Sequence, residues 1–292
     1  MYMQLSIIIV NYNVKNLLRD CLNSIKEATE EIISEIWVVD NNSDDDSVKM
    51  LKSEFKEINL IVNTENKGFS KANNQALKRA KGKYILILNP DTIVNKSTLK
   101  DCINFCKTTL NCGGIGVKMV DENGYFLLES KRGFPSPWAS LCRGLKLSVL
   151  FPKSSFFNTY YLGHLHPDLC HKVEVLTGAF LFFKKNIFDN IGGLDESFFM
   201  YGEDIDYSYR ISKAGYQNYY LGNTSIIHFK GKSSNIHSSE YIRRFFGAMK
   251  IFSKKYYPLT YPVYHLVISS LMAFHYIRLF LFRKDQHKKH SV

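Results

Sequence analysis

Residues 5–10 form an unbroken apolar run, the pattern of a strand buried on both faces. Val14, Leu17, Leu18, Cys21, Leu22 and Ile25 follow at helical spacing and predict a helix over 14–26. A second strand is expected over 35–39, ending on Asp40. The polar turn after it, Asn41 to Asp46, supplies cap residues for a helix over 47–55. A strand at 58–62, a helix at 68–80 closed by Gly82, and a strand at 84–88 ending on Asn89-Pro90-Asp91 complete the first third. Strands alternating with helices over 90 residues imply right-handed βαβ units in a parallel sheet, an α/β fold.

After Asp91 the alternation loosens. The pattern predicts a helix at 97–107 and a hairpin of 115–120 and 125–129 around Asp121-Glu122-Asn123-Gly124. Residues 131–171 read as irregular and rich in aromatics, Pro and His. A long strand at 173–184, interrupted at Thr177-Gly178, comes next. A helix at 204–214, strands at 216–221 and 225–229, a helix at 240–256 and an apolar stretch at 262–282 follow.

With 292 residues, 45% hydrophobic and 22% charged, the chain can bury a substantial core in one large or two small domains. The charge is unevenly placed. Residues 1–240 carry 28 basic and 26 acidic side chains, whereas residues 241–292 carry ten basic ones and a single acid, Asp285. A near-neutral body argues against nucleic acid as partner, and the basic tail favours an anionic surface. The N-terminal residues run directly into a strand without a basic segment or cleavage site, so no secretory leader is expected. The six cysteines show no framework spacing and are read as reduced thiols. Cys102, Cys106 and Cys112 are expected to be buried and structural, not a metal site.

In open α/β sheets, ligands bind beyond the carboxyl ends of the strands. Those ends here carry Asn11-Tyr12-Asn13, Asp40-Asn41-Asn42-Ser43 and Asn89-Pro90-Asp91. No glycine-rich phosphate loop follows the first strand, which speaks against dinucleotide dehydrogenases and P-loop enzymes. An acid ending the second strand suits a base or ribose, and one ending the fourth suits a hard divalent cation that holds a diphosphate. Taken singly, these are ordinary capping residues, but three together at one edge mark a site. Glu203 and Asp206 stand where a helix N-terminus would stabilise them, and Asp204 could serve as general base. His228 ends a strand, as a metal ligand or as a hydrogen-bonded structural residue.

The segments 6–13, 38–43, 66–74, 88–91, 177–179 and 193–206 resemble glycosyltransferase family 2, and most closely its bacterial rhamnosyltransferase-like branch. The motifs span about residues 5–235 in the family's order. The resemblance implies a GT-A fold: a Rossmann-like, mostly parallel central sheet with flanking helices, here over 1–235, and a C-terminal helical tail over 236–292. It implies inverting transfer of one sugar from a nucleoside-diphosphate sugar, with Mn2+ or Mg2+, to a saccharide acceptor in cell-surface polysaccharide synthesis. For the donor, the resemblance points to thymidine-diphosphate rhamnose as the family-level expectation. Asp40 would contact the nucleoside and Val10, Asn11 and Tyr12 would line the base pocket. Asn42, Lys67, Gly68, Asn73, Asn89, Asp91 and Gly178 would complete the donor site. Asn89-Pro90-Asp91 occupies the Asp-x-Asp position with Asn in first place, so the metal rests on Asp91 with His228 as second ligand. Asp204 matches the catalytic base, and Trp138 and Glu203 would meet the acceptor. The Gln-x-x-Arg-Trp motif of processive synthases is absent. A non-catalytic nucleotide-sugar-binding protein and a sugar-nucleotide nucleotidyltransferase are the alternatives.

Trp138, Tyr160, Tyr161, His164 and His166 could form a stacking platform for a sugar. The His164–His171 cluster fits no standard zinc spacing. Residues 262–282 are long enough to span a bilayer but are interrupted by His265, Ser269, Ser270, His275 and Arg278. The preferred reading is a helix on the membrane surface, with Arg283, Lys284, Lys288 and Lys289 meeting anionic head groups. Docking on the catalytic body, or on a second subunit of a homo-oligomer, stays open. A lipid-linked acceptor would suit a cytoplasmic site at the inner face of the membrane.

Overall fold

The computed structural model describes residues 2–231 and 238–289, with side chains up to Leu279. Strand β1 (Leu5–Asn11) is buried along its whole length. The chain continues through α1 (Lys15–Ala28), β2 (Ser34–Asp40), α2 (Ser47–Glu54), β3 (Asn59–Val62) and α3 (Phe69–Leu77) to β4 (Tyr84–Leu88). β1 pairs in parallel with β2 and β4, and β2 with β3. The order β3-β2-β1-β4 therefore sets the carboxyl ends of β1, β2 and β4 along one edge. Both faces of this half are covered. Ile7 and Ile9 pack with Leu18, Leu22 and Ile25 of α1, while Ile8 and Val10 pack with Ala72 and Ala76 of α3. Burial on both faces is why the run shows no polar alternation.

The remaining elements are β5 (Thr92–Val94), α4 (Thr98–Thr108), β6 (Cys112–Val120), a 3-10 turn (Leu128–Ser130), α5 (Pro137–Gly144), α6 (Leu147–Leu150), β7 (His171–Val173), β8 (Phe180–Lys184), α7 (Lys185–Ile191), α8 (Glu203–Lys213), β9 (Gln217–His228), α9 (Ser239–Tyr256) and α10 (Tyr261–Lys289). β8 enters the sheet at the carboxyl edge, with Phe180 opposite Leu88, and so lies antiparallel to β4 and β6. The sheet is consequently mixed: its parallel part is β3-β2-β1-β4 together with the β6–β9 pair, and β5, β7 and β8 run antiparallel to their neighbours.

Three local expectations change. The strand expected over 173–184 is two strands with different partners, since β7 pairs with β9 and β8 with β4. The strands expected at 216–221 and 225–229 are one, β9, in which residues 222–224 slip out of register between Leu221 and Ser225. The second arm of the 115–129 hairpin is no strand. Asp121 accepts from the Asn123 and Tyr125 N–H groups, a single bridge joins Val120 to Phe126, and the chain winds into the 3-10 turn. The thiols match expectation. Cys102, Cys106 and Cys112 are buried, and Cys170 alone of the six is exposed.

α9 packs on the body where Ala248 and Phe252 meet Phe198, and α10 packs on α9 where Ile268 meets Ile242 and Phe246. One face of the tail is thus docked on the body of the fold. Among the described residues no helix is long and apolar enough to cross a membrane. The expected boundary at 235/236 lies outside the described residues, as do the side chains of Arg283, Lys284, Lys288 and Lys289.

Candidate active site

The ends of β1 and β2 are joined by side chains. Asn11 Nδ2 donates to Asp40 Oδ2 at 2.8 Å and to Ser43 Oγ at 3.1 Å, and the Ser43 N–H donates to Asp40 Oδ1 at 2.9 Å. Asp40 exposes no surface. Its carboxylate, assigned to a nucleoside from sequence, is turned inward here and sets the shape of the 40–43 turn. The surface above it comes from Tyr12, about half exposed at 47%, and exposed Asn42, which holds φ at 70°. Val10 and Asn11 lie beneath.

Asn41 suspends the next loop. Its Oδ1 accepts from Asn63 Nδ2 at 2.9 Å and the Lys67 N–H at 3.4 Å, and its Nδ2 donates to the Gly68 carbonyl at 3.2 Å. Gly68 has φ +80°, and a Cβ there would lie 2.5 Å from the Phe199 carbonyl oxygen. Only glycine fits both demands. That carbonyl accepts from the Phe69 N–H at 2.7 Å, which closes the donor-side loop onto the segment leading into α8. Asn73, buried in α3, donates from Nδ2 to the Phe69 carbonyl.

Asp91 and His228 come together because β5 pairs with β9, Thr92 opposite His228, and the Phe229 N–H donates to the Asp91 carbonyl. Asp91 Oδ1 stands 3.4 Å from His228 Nε2, and both side chains are largely buried. That separation is long for a hydrogen bond and close to the spacing of roughly 3 Å between adjacent ligands on an octahedral cation. His228 Nδ1 is buried without a hydrogen-bond partner among the described residues. A carboxylate and an imidazole at this spacing fit a divalent cation. Among the described residues no third His, Cys, Asp or Glu joins them.

Asp204 lies in the first turn of α8, after Tyr201 and Gly202, which both have positive φ. Its Oδ1 accepts from the Ile205 N–H at 2.8 Å. Its Oδ2 accepts from the Gly178 N–H at 3.3 Å and from Arg132 Nη2 at 2.5 Å. The adjacent Ala179 carbonyl accepts from the Asn89 N–H at 3.1 Å. This chain of contacts brings the carboxylate beside the end of β4, next to Asp91 in sequence. Its side chain is 13% exposed. Neighbouring Glu203 is buried, and burial together with the Asp204 charge pushes its carboxyl up to about 8. Asp206 plays a different part. Fully buried, it accepts from Arg210 Nε at 2.8 Å, Lys255 Nζ at 2.6 Å and the Tyr256 hydroxyl at 2.6 Å, tying α9 to α8. A helix-dipole role alone does not describe Glu203 and Asp206.

Arg132 escaped the sequence reading. It sits in an irregular segment with no periodicity, and the basic pair Lys131-Arg132 before Gly133 is its sole local mark. The aromatic platform is divided. Tyr160 reaches the site, its hydroxyl accepting from Arg132 Nη1 at 3.4 Å. Trp138 instead packs against Phe156 and Phe157 and donates from Nε1 to the Phe156 carbonyl. His166 and His171 are engaged within their own loop, where the Asp168 N–H donates to His166 Nδ1 and His171 Nε2 meets the His166 carbonyl.

Residues 6–192 match the family model for glycosyl transferase family 2. The chain belongs to glycosyl transferase family 2. It is a glycosyltransferase. It is 27% identical over 282 residues to the low-salt glycan biosynthesis hexosyltransferase Agl10 of Haloferax volcanii, covering 92% of this chain and 83% of the relative. It is 25% identical over 244 residues to the N-acetylglucosaminyl-diphospho-decaprenol L-rhamnosyltransferase of Mycobacterium tuberculosis, covering 79% and 77%. Among solved structures it is similar to the mannosyltransferase PcManGT from Pyrobaculum calidifontis in complex with GDP-Man and Mn2+, with TM-score 0.56, 17% identity and coverage of 93% and 70%. A second is the S. aureus TarS fragment 1–349 with UDP-GlcNAc, with TM-score 0.55 and 21% identity. It covers 86% of this chain, which spans 66% of that one. At such identities these structures speak for the GT-A fold alone.

Proposed function

We propose that this glycosyltransferase moves one sugar at a time, with inversion, from a nucleoside-diphosphate sugar to a saccharide hydroxyl in glycan synthesis, thymidine-diphosphate rhamnose being the leading donor. The observation that carries the reading is Asp204, tied through Gly178 and Ala179 to the strand end that holds Asp91. The nucleoside lies against residues 10–12 and the turn that Asp40 organises, with Asn42, Lys67, Gly68 and Asn73 building the adjoining wall. Asp91 and His228 would hold a divalent cation, Mn2+ or Mg2+, and that ion would supply positive charge against the leaving diphosphate.

A sugar hydroxyl is a poor nucleophile at neutral pH. Asp204 therefore takes its proton as the new C–O bond forms at the anomeric carbon. The bond from that carbon to the diphosphate oxygen breaks, and its electron pair leaves with the nucleoside diphosphate. Glu203, adjacent to Asp204 on α8, would meet the acceptor, and Trp138 would meet it from the cluster it forms with Phe156 and Phe157.

Release of nucleoside diphosphate from UDP-GlcNAc, UDP-glucose, GDP-mannose and dTDP-rhamnose, with Mn2+, Mg2+ or EDTA, tests this. Slow metal-dependent hydrolysis of one donor, lost in Asp204→Asn, supports it. Pyrophosphate release would point to a nucleotidyltransferase, and tight binding without release to a binding protein.

The tail bears on the acceptor. α10 turns Val263, Leu266, Val267, Phe274 and Ile277 outward, opposite the face packed on α9, and residues 241–292 carry a net charge of +9. We infer that this stripe rests on an anionic bilayer at the inner face of the membrane, where a lipid-linked acceptor would be met. Sedimentation with phosphatidylglycerol vesicles should fall at least tenfold in Leu266→Glu/Phe274→Glu. Unchanged sedimentation sinks the idea. A wild-type dimer that this variant dissociates would place a second subunit on the stripe instead.

A further inference from the structure

Asp204 and Glu203 are adjacent carboxyls in a poorly hydrated site, and mutual repulsion discourages both from ionising. Glu203 is the more buried, and its Oε2 has no hydrogen-bond partner among the described residues. What singles out Asp204 as the charged member is Arg132. The guanidinium donates from Nη2 both to Asp204 Oδ2 at 2.5 Å and to the Leu176 carbonyl at 2.8 Å, and from Nη1 to the Tyr160 hydroxyl. Its side chain is 11% exposed. Its backbone is equally constrained, since the Arg132 carbonyl accepts from the Val175 N–H at 2.9 Å and the two residues form an isolated bridge. The preceding Lys131 is anchored to the Leu162 carbonyl at 2.7 Å. A cation so fixed is a built part of the site, not a surface arm that happens to reach it.

The geometry also selects an oxygen. Oδ2 is shared by Arg132 and the Gly178 N–H, whereas Oδ1 accepts one N–H, that of Ile205, and keeps a lone pair. We propose that Arg132 is the positioning residue of the catalytic base: it keeps Asp204 ionised beside Glu203 and holds Oδ2, leaving Oδ1 to receive the proton of the acceptor hydroxyl. This rests on the reading of Asp204 as base. Among the described residues, the charged and titratable groups around Asp204 are Arg132, Glu203 and, through Arg132, Tyr160, with Asp206 two residues along α8.

The test follows turnover against pH for whichever panel donor is hydrolysed, water standing in for the acceptor, with donor affinity measured separately. Arg132→Met should lower kcat about 100-fold and move the acid limb of the profile up by at least one pH unit, with donor Kd within twofold of wild type. Removing the competing carboxyl in Arg132→Met/Glu203→Gln should bring the limb back towards wild type, which a merely structural role for Arg132 would not do. Arg132→Lys keeps the charge but not the fork, and should raise the limb by less. It carries the test if Arg132→Met does not fold. An unmoved limb in the Arg132 variants, or a shifted limb that Glu203→Gln leaves in place, overturns the proposal. Asp204→Asn separates the two levels. If it is inactive while Arg132→Met behaves as wild type, the positioning role alone fails. If Asp204→Asn turns over normally, the base itself is misassigned.

Discussion

Asp206 joins the helix bearing Asp204 to the C-terminal pair of helices, and its removal is a sharp test of that junction. The carboxylate exposes no surface and collects three partners, Arg210, Lys255 and the Tyr256 hydroxyl. Removing one partner of a buried ionic cluster typically costs about 3–5 kcal/mol, because the remaining charges lose their compensation. Arg210 is 21% and Lys255 35% exposed at the side chain, so both can recover some solvation, which places Asp206→Asn near the lower limit, about 3 kcal/mol. Lys255→Met takes away one charge-assisted bond, and discounting for its exposure leaves about 1–2 kcal/mol. Lys255 also binds Asp195. Burial works against the Asp195 charge, yet the Lys255 ammonium and the Ser197 N–H hold its carboxyl down at about 2. A depressed folded-state pKa stabilises above the unfolded value near 3.9 and is lost as pH falls towards 2. Lys255→Met should therefore flatten the loss of stability between about pH 4 and 2. Urea denaturation of the whole chain at pH 7 and pH 3 reads both effects. Equal midpoints for wild type and Asp206→Asn at pH 7 would refute the reasoning, since a buried, triply bonded carboxylate cannot be neutralised without cost.

Gly68→Ala should weaken donor binding tenfold or more by calorimetry, because the Cβ would meet the Phe199 carbonyl at 2.5 Å and the residue would be held at φ +80°. His228→Ala should raise the Mn2+ concentration needed for half-maximal hydrolysis at least tenfold, and an unchanged metal response would remove His228 from the metal site. Glu203 is held protonated up to about 8, chiefly by burial and next by the Asp204 charge, so it lends stability at acid pH that is lost as pH rises from about 4 towards 8. Melting temperatures of Glu203→Gln should lack that decline. In the native protein iodoacetamide should label one cysteine rapidly, Cys170, and Cys170→Ser should remove the reaction. Burial raises the Cys21 thiol to about 12, and Cys102, Cys106, Cys112 and Cys142 are also covered.

The first four strands and their helices were legible because their burial repeats at short range. Leu5–Asn11 is apolar throughout since both its faces are covered, and α1 shows its buried stripe at Leu18, Cys21, Leu22 and Ile25. The strand-end residues were legible too, because parallel pairing brings Asn11 opposite Asp40 without any long-range accident. Pairing partners chosen over distance were not. Nothing local tells β8 to run antiparallel to β4, or 173–184 to divide between two neighbours. The bonds that hold the Asp40 carboxylate were not legible for a similar reason, since its partner Ser43 is near in sequence but Asn11 is 29 residues away.

The site shows the same division. A carboxylate on a first helical turn is visible in Glu203-Asp204-Ile205-Asp206, but three neighbouring acids look alike in one dimension. Tertiary contacts give each a separate chemistry: Glu203 is desolvated, Asp204 is bound by a guanidinium 72 residues away, and Asp206 is tied to α9 by Lys255, 49 residues on. Strand and helix periods, turn residues and motif order belong to neighbours along the chain and survive in the sequence as pattern. Charge state and ligand geometry depend on what solvent is removed and which distant ion replaces it, and those are settled when the sheet, the 131–178 segment and the C-terminal helices close on one another.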